Sequence, residues 1–194
     1  YHLFRGTPSR LWLDHVFAEV FGIEVALEAE TADLYFDAIG EALATDAFRP
    51  RALFDRFRID FLATTEGAQD SLDAHHAIHA SGWGGRVVTT YRPDGVIDVE
   101  HEAFVPAMAR FAELTGEDVY GWQGYLAAHR KRRTHFRAAG ATATDHGHPT
   151  AATANLTPQE CEALFARIVG GDWTPADAEL FRAQMLTEMA AMSI

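Results

Sequence analysis

The stretch that decides the fold is Ile59–Gly95, IDFLATTEGAQDSLDAHHAIHASGWGGRVVTTYRPDG. Ile59-Asp60-Phe61-Leu62-Ala63-Thr64 reads as a short buried strand. Ser71 to Ala80 reads as a helix. Arg86-Val87-Val88-Thr89-Thr90-Tyr91 is rich in β-branched residues and reads as a second strand. Arg92-Pro93-Asp94-Gly95 stops it, because Pro and Gly together mark a turn. Downstream, Phe104, Met108, Phe111 and Leu114 fall at helical spacing and end at Gly116. A long helix then runs from about Val119 to Ala139 and stops at Gly140. Ala141-Thr142-Ala143-Thr144 reads as a third short strand, leading into Asp145-His146-Gly147-His148-Pro149. Strand, helix, strand, helix, strand is the pattern of parallel βαβ units. Right-handed crossovers place all three C-terminal strand ends on one rim, where the chemistry of such folds collects. The rim then carries Thr64, Thr65 and Glu66, then Arg92 and Asp94, then Asp145, His146 and His148.

On either side of this stretch the chain reads as helix. Thr7-Pro8, Thr31, Pro50, Thr157-Pro158 and Thr174-Pro175 are helix starts, with Thr as N-cap or Pro in the first turn. Leu11, Trp12, Val16, Val20 and Phe21 form one stripe, with Gly22 as its stop. Leu34, Tyr35, Ala38, Ile39, Ala42 and Leu43 form another. Leu164, Phe165 and Ile168 lie before Gly170-Gly171, and Phe181, Met185, Met189 and Met192 follow. The Met stripe reads as core packing. Three parallel strands do not close a barrel, and a (β/α)8 barrel takes roughly 250 residues. The chain is therefore either a small open α/β domain with large helical additions or an arc of a barrel. The expected divisions are a helical part over 1–57, the βα units over 58–150, and a helical hairpin over 151–194.

The chain has 194 residues, 48% of them hydrophobic and 23% charged, which is ordinary globular composition. Its 16 basic and 28 acidic side chains leave a formal charge of −12, which argues against non-specific binding to nucleic acid or an anionic membrane. A single cysteine, Cys161, excludes an intrachain disulfide and fits a reducing compartment, and the cytoplasm is the expected location. No apolar run approaches the roughly 20 residues of a membrane helix. The chain opens Tyr1-His2-Leu3 without Met and closes still in an apolar helical pattern, so both ends read as cut from something longer; a trimmed complete protein is the alternative. An open arc exposes strand edges, so a homo-oligomer is expected.

Several motifs bear on chemistry. In Asp145-His146-Gly147-His148 an HxH can set two imidazoles on one metal, although no third or fourth ligand stands out by spacing. A polar loop with two exposed histidines is the alternative. His75 and His79, at i and i+4, can chelate, but a half-exposed helix face is the preferred reading. The basic run His129–Arg133 reads as a solvated helix side, because Trp122, Tyr125, Leu126, His129, Arg133 and Phe136 share the opposite face. Arg92, fixed by the Pro that follows it, suits a planar guanidinium for a carboxylate ligand. A structural ion pair to Asp94 or Asp145 is an equal alternative.

Four stretches in order resemble the uronate isomerase (glucuronate isomerase) family of the amidohydrolase superfamily: WLDHVFAEVFGI (12–23), FRIDFLATTEGAQDSLDAHHAI (57–78), VVTTYRPDGVIDVE (87–100) and RTHFRAAGATATDHG (133–147). The resemblance implies a helix-rich arc of a (β/α)8 amidohydrolase-type barrel, with about three parallel strands and large helical insertions. It implies isomerisation of D-glucuronate to D-fructuronate and of D-galacturonate to D-tagaturonate through an enediol. It matches Arg92 to the family's active-site arginine, for substrate binding, and Asp145 to its aspartate, for substrate binding and catalysis. It also implies one divalent metal, zinc by preference, in the intact parent enzyme. The family's own metal-binding HxH lies on an earlier strand, so no metal is expected within this chain, and the chain alone is expected to be inactive. A catalytically inactive sugar-acid binding or oligomerisation module derived from that family is the alternative. The expected partner is a hexuronate, with no nucleic acid and no membrane.

Overall fold

Threonine and proline set the helix starts. Thr157 and Thr174 each accept a backbone N–H three residues on, while Glu160 and Asp177 reach back to the capping residue, and Pro158 and Pro175 occupy the first turn. A computed structural model describes residues 2–193. The helices are α1 Pro8–His15, α2 Ala32–Leu43, α3 Pro50–Arg56, α4 Asp73–Ala80, α5 Phe104–Thr115, α6 Trp122–Ala138, α7 Pro158–Gly170 and α8 Pro175–Ala191; the strands are β1 Leu62–Gly67 and β2 Val87–Arg92. The chain divides into two compact units, Tyr1–Asp60 and Phe61–Ile194.

In the first unit α1 passes into a wider turn over Val16–Val20. Phe17 meets Tyr35 edge-on at 5.0 Å, and Phe21 stacks on Phe48 at 5.3 Å. Arg56 donates to the Val20 carbonyl at 3.1 Å. Only Ile23, Tyr35 and Phe54 are buried among this unit's described hydrophobics.

In the second unit β1 and β2 are parallel, in a register pairing Leu62 with Val87 and Gly67 with Arg92. The expected third strand is reduced to a single parallel bridge between Thr144 and Tyr91. The cause lies in the end of α6. Gly140 turns back at φ +97°, and the Ala141 N–H is spent on the Phe136 carbonyl. Only Ala143 and Asp145 are left to bond Tyr91, at 3.3 and 3.0 Å. The first strand starts three residues later than the sequence implies and is half exposed and half partly buried, with no fully buried residue. It has β2 on one side and no strand on the other among the described residues, whereas β2 lies between β1 and the bridge and buries Val87, Val88, Thr89 and Tyr91. Helix α4 begins at Asp73 rather than Ser71, because Leu72 holds a left-handed conformation at φ +63°.

The core is built where α5, α6, α7 and α8 meet. Phe111, Tyr125, Phe136, Phe165, Phe181 and Met185 are fully buried. Burying one such side chain contributes roughly 1.5–3 kcal/mol. Tyr125 stacks on Phe165 at 4.7 Å and meets His129 edge-on at 4.5 Å. Met185 and Met189 are core residues, as their spacing implies. The basic run on α6 departs from the sequence reading: Arg132, not Arg133, is the fully turned-in residue. It donates to the carbonyls of Ala68 and Asp70 at 2.8 and 2.6 Å and so holds the loop after β1. No described helix is long and apolar enough to cross a membrane.

Candidate functional site

Parallel pairing brings the C-terminal strand ends together. Glu66 lies opposite Tyr91, Gly67 opposite Arg92, and Thr144 bridges to Tyr91, so Arg92 and Asp145 leave the sheet side by side. Arg92 Nη2 pairs with Asp145 Oδ2, and Arg92 Nε lies 3.7 Å from Asp94 Oδ2. Both readings of Arg92 as an ion-paired residue are thus realised, with Asp145 as the closer partner. Its side chain is 45% exposed and that of Asp145 37%, so the pair faces solvent. Two parallel donors in a planar fork can grip a carboxylate, and Arg92 Nη1 has no hydrogen-bond partner among the described residues.

The Asp94 and Asp145 loops are tied together. Asp94 sits in the short turn Asp94–Val96 after Pro93, and its Oδ2 accepts the Gly147 N–H at 2.6 Å. A Cβ on Gly147 would lie 2.8 Å from that oxygen, so the middle residue of His-Gly-His must be small for the carboxylate to come this close. The other Asp94 oxygen, Oδ1, lies 3.6 Å from His148 Nε2 and 4.0 Å from His146 Nδ1. Among the described residues, Asp94, His146 and His148 form a group whose ligand atoms could hold a metal ion. Burial lowers both imidazoles below the ordinary histidine value; for His146 the neighbouring His148 adds to this, while Asp94 opposes it for both. The expectation of no metal within this chain therefore meets a structure that supplies the third ligand the HxH lacked by spacing.

Other predicted residues go elsewhere. His75 is buried, with Nε2 2.9 Å from the Thr64 hydroxyl and 3.7 Å from Glu66 Oε1. His79 Nε2 contacts the Val87 carbonyl at 3.3 Å. The two therefore brace β1 and β2 and do not chelate together. The Thr89 hydroxyl donates to Glu66, so Glu66 belongs to this bracing set. A concavity of about 420 Å³ lies along α6 and residues 141–144, lined by Arg130, Arg133 and Arg137; it touches the rim only through Tyr91 and Thr144. The Arg92–Asp145 pair therefore does not line this hollow.

One residue and one meeting of residues escaped the sequence reading. Arg182 on α8 is 7% exposed and bonds Asp98, Glu100 and Glu179 at 3.0, 2.7 and 3.1 Å. No periodicity signals it, since it sits on a stripe of Phe181 and Met185. Asp94 is on the rim by sequence, but nothing in its spacing ties it to the distant HxH.

A family model for glucuronate isomerase matches residues 2–193. The chain belongs to the glucuronate isomerase family. It is 67% identical over 193 residues to uronate isomerase of Phenylobacterium zucineum, across 100% of this chain and 40% of that protein. It is 65% identical over 199 residues to uronate isomerase of Sphingopyxis alaskensis, across 100% of this chain and 42% of that protein. The crystal structure of glucuronate isomerase from Caulobacter crescentus superposes with a TM-score of 0.94 at 66% identity, over 99% of this chain and 40% of that one. The uronate isomerase structure from Thermotoga maritima superposes at 0.87 with 23% identity, over 99% of this chain and 42% of that one, and shows the shared fold. The chain thus spans about two fifths of the length of the relatives it matches.

Proposed function

We propose that this chain forms the carboxylate-binding part of a uronate isomerase, an aldose–ketose isomerase acting on D-glucuronate and D-galacturonate. The observation that carries the proposal is the solvent-facing Arg92–Asp145 pair at adjacent parallel strand ends, in a chain of the glucuronate isomerase family. An aldose and its ketose differ by a proton moved between C1 and C2, remote from the C6 carboxylate. Binding energy at the remote carboxylate fixes the sugar's orientation without taking part in bond changes. Arg92 is the cation for that end, and Asp145 holds its fork in plane while keeping a carboxylate oxygen at the sugar. Asp94, with its Oδ2 3.7 Å from Arg92 Nε, adds a second restraint.

The arc of an amidohydrolase-type barrel is the architecture that fits two parallel strands, the Thr144 bridge and the surrounding helices. The divalent metal implied for the intact enzyme would supply an electrophile for the enediolate oxygen. The ligands that the family resemblance implies for that ion lie on an earlier strand, so Arg92 and Asp145 are this chain's share of the site. Steady-state kinetics of the full-length enzyme test the reading. Arg92→Lys keeps the charge but loses the fork, so KM for D-glucuronate rises on the order of tenfold with a smaller change in kcat. An unchanged KM would remove Arg92 from the substrate.

A further inference from the structure

We propose that Asp94, His146 and His148 form a binding site for one divalent transition-metal ion of the zinc type. Four buried atoms on these side chains have no hydrogen-bond partner: Asp94 Oδ1, His146 Nδ1, and both ring nitrogens of His148. Buried polar atoms are paired in nearly all folded proteins, so four orphans in one place call for an occupant. The His148 side chain is only 4% exposed, and its Nε2 lies 3.6 Å from the orphaned Asp94 oxygen. His146 Nδ1 lies 4.0 Å from that same oxygen. The three ligand atoms all lie within 4.8 Å of one another, and ligand atoms around a tetrahedral zinc are roughly 3.3–3.5 Å apart, so an ion would draw these side chains inward on binding.

The support around the ligands has the form of a built site. The second Asp94 oxygen is held by the Gly147 N–H at 2.6 Å, which aims Oδ1 at the imidazoles. His146 and His148 flank that same glycine, so one backbone segment positions all three groups. Asp94, Asp98, Asp145 and Glu179 lie around the site against Arg92, Arg133 and Arg182, a surplus of negative charge that suits a dication. Two imidazoles and one carboxylate favour a borderline ion over calcium or magnesium, which take oxygen cages. Three protein ligands leave a fourth position open. The ligands on an earlier strand that the family resemblance implies are a different set, and metal binding is read here without turnover, so failure of this site leaves the isomerase reading untouched.

The test is calorimetric titration of chelator-stripped protein with Zn2+, with zinc-soaked crystals examined for anomalous scattering. In the full-length enzyme the proposal expects a strong anomalous peak between Asp94, His146 and His148, separate from any at the earlier-strand ligands, and one equivalent of zinc that depends on these three residues. His148→Ala, His146→Ala and Asp94→Asn each weaken binding by at least about tenfold. No anomalous peak between these three residues, or a zinc stoichiometry and affinity that stay the same in all three variants, overturns the site and leaves water as its occupant. The anomalous peak needs no variant, so a substitution that unfolds the protein does not blunt the test.

Discussion

Helices α1 and α7 start the same way and end in opposite circumstances. Each opens with a Thr–Pro pair whose threonine accepts a backbone N–H, and each carries an apolar stripe. Helix α7, in the unit Phe61–Ile194, buries Cys161, Leu164, Phe165 and Ile168. Helix α1, in the unit Tyr1–Asp60, buries nothing, and Leu11 and Trp12 are 74% and 66% exposed. Capping and periodicity therefore make a helix and choose its face, but burial depends on whether another element meets that face. The same holds for the strands. Two runs of similar composition pair with each other, and only the one with neighbours on both sides is buried.

The sharpest way to break this comparison is to remove one aromatic from each unit. Tyr125→Ala leaves a cavity beneath Phe165 and Phe181 and costs about 3–5 kcal/mol, read by urea unfolding. Trp12→Ala costs within about 0.5 kcal/mol, because its ring is already in water. Equal costs would mean that the first unit is held as firmly as the second.

Acid separates the units next. Burial drives His129 down to about 3, so it stays neutral in the fold while the unfolded chain takes up a proton near 6.5. The unfolded state then binds more protons between those values, and stability falls as pH drops from about 6.5 toward 3. The slope from one such group is at most about 1.4 kcal/mol per pH unit. His129→Gln should flatten it. A slope unchanged by His129→Gln would place the acid sensitivity elsewhere.

Smaller effects sharpen the account. Arg182→Met leaves Asp98, Glu100 and Glu179 without their shared cation, and those carboxylates still reach water, so a loss of about 1–3 kcal/mol is expected. Thr157→Ala removes a capping box from a packed helix and costs about 1 kcal/mol of global stability. Thr7→Ala should fray α1 in hydrogen exchange while leaving the unfolding midpoint of the second unit in place.

The legible features were those written in local chemistry. Val87-Val88-Thr89-Thr90-Tyr91 became a strand, the Thr–Pro pairs became caps, and Met185 and Met189 became core. The illegible ones depend on contacts between distant segments. Arg132 looks solvated in a basic run, yet the loop after β1 offers it two carbonyls. The Ala141–Thr144 strand fails because the end of α6 spends a donor that a ladder needs. At the rim, the meeting of Arg92 with Asp145 was legible from the strand ends. The meeting of Asp94 with His146 and His148 was not, since only the folded loops bring those residues into one place.

The central claim, that Arg92 grips the sugar acid's carboxylate, is tested most directly by comparing kcat/KM for D-glucuronate with that for D-glucose in the full-length enzyme and its Arg92→Ala variant. The account predicts that the variant loses preference for the acid on the order of 10²-fold, because the lost interaction is one only the uronate can make. A preference ratio equal to that of the unsubstituted enzyme would contradict it and return Arg92 to a purely structural pair with Asp145.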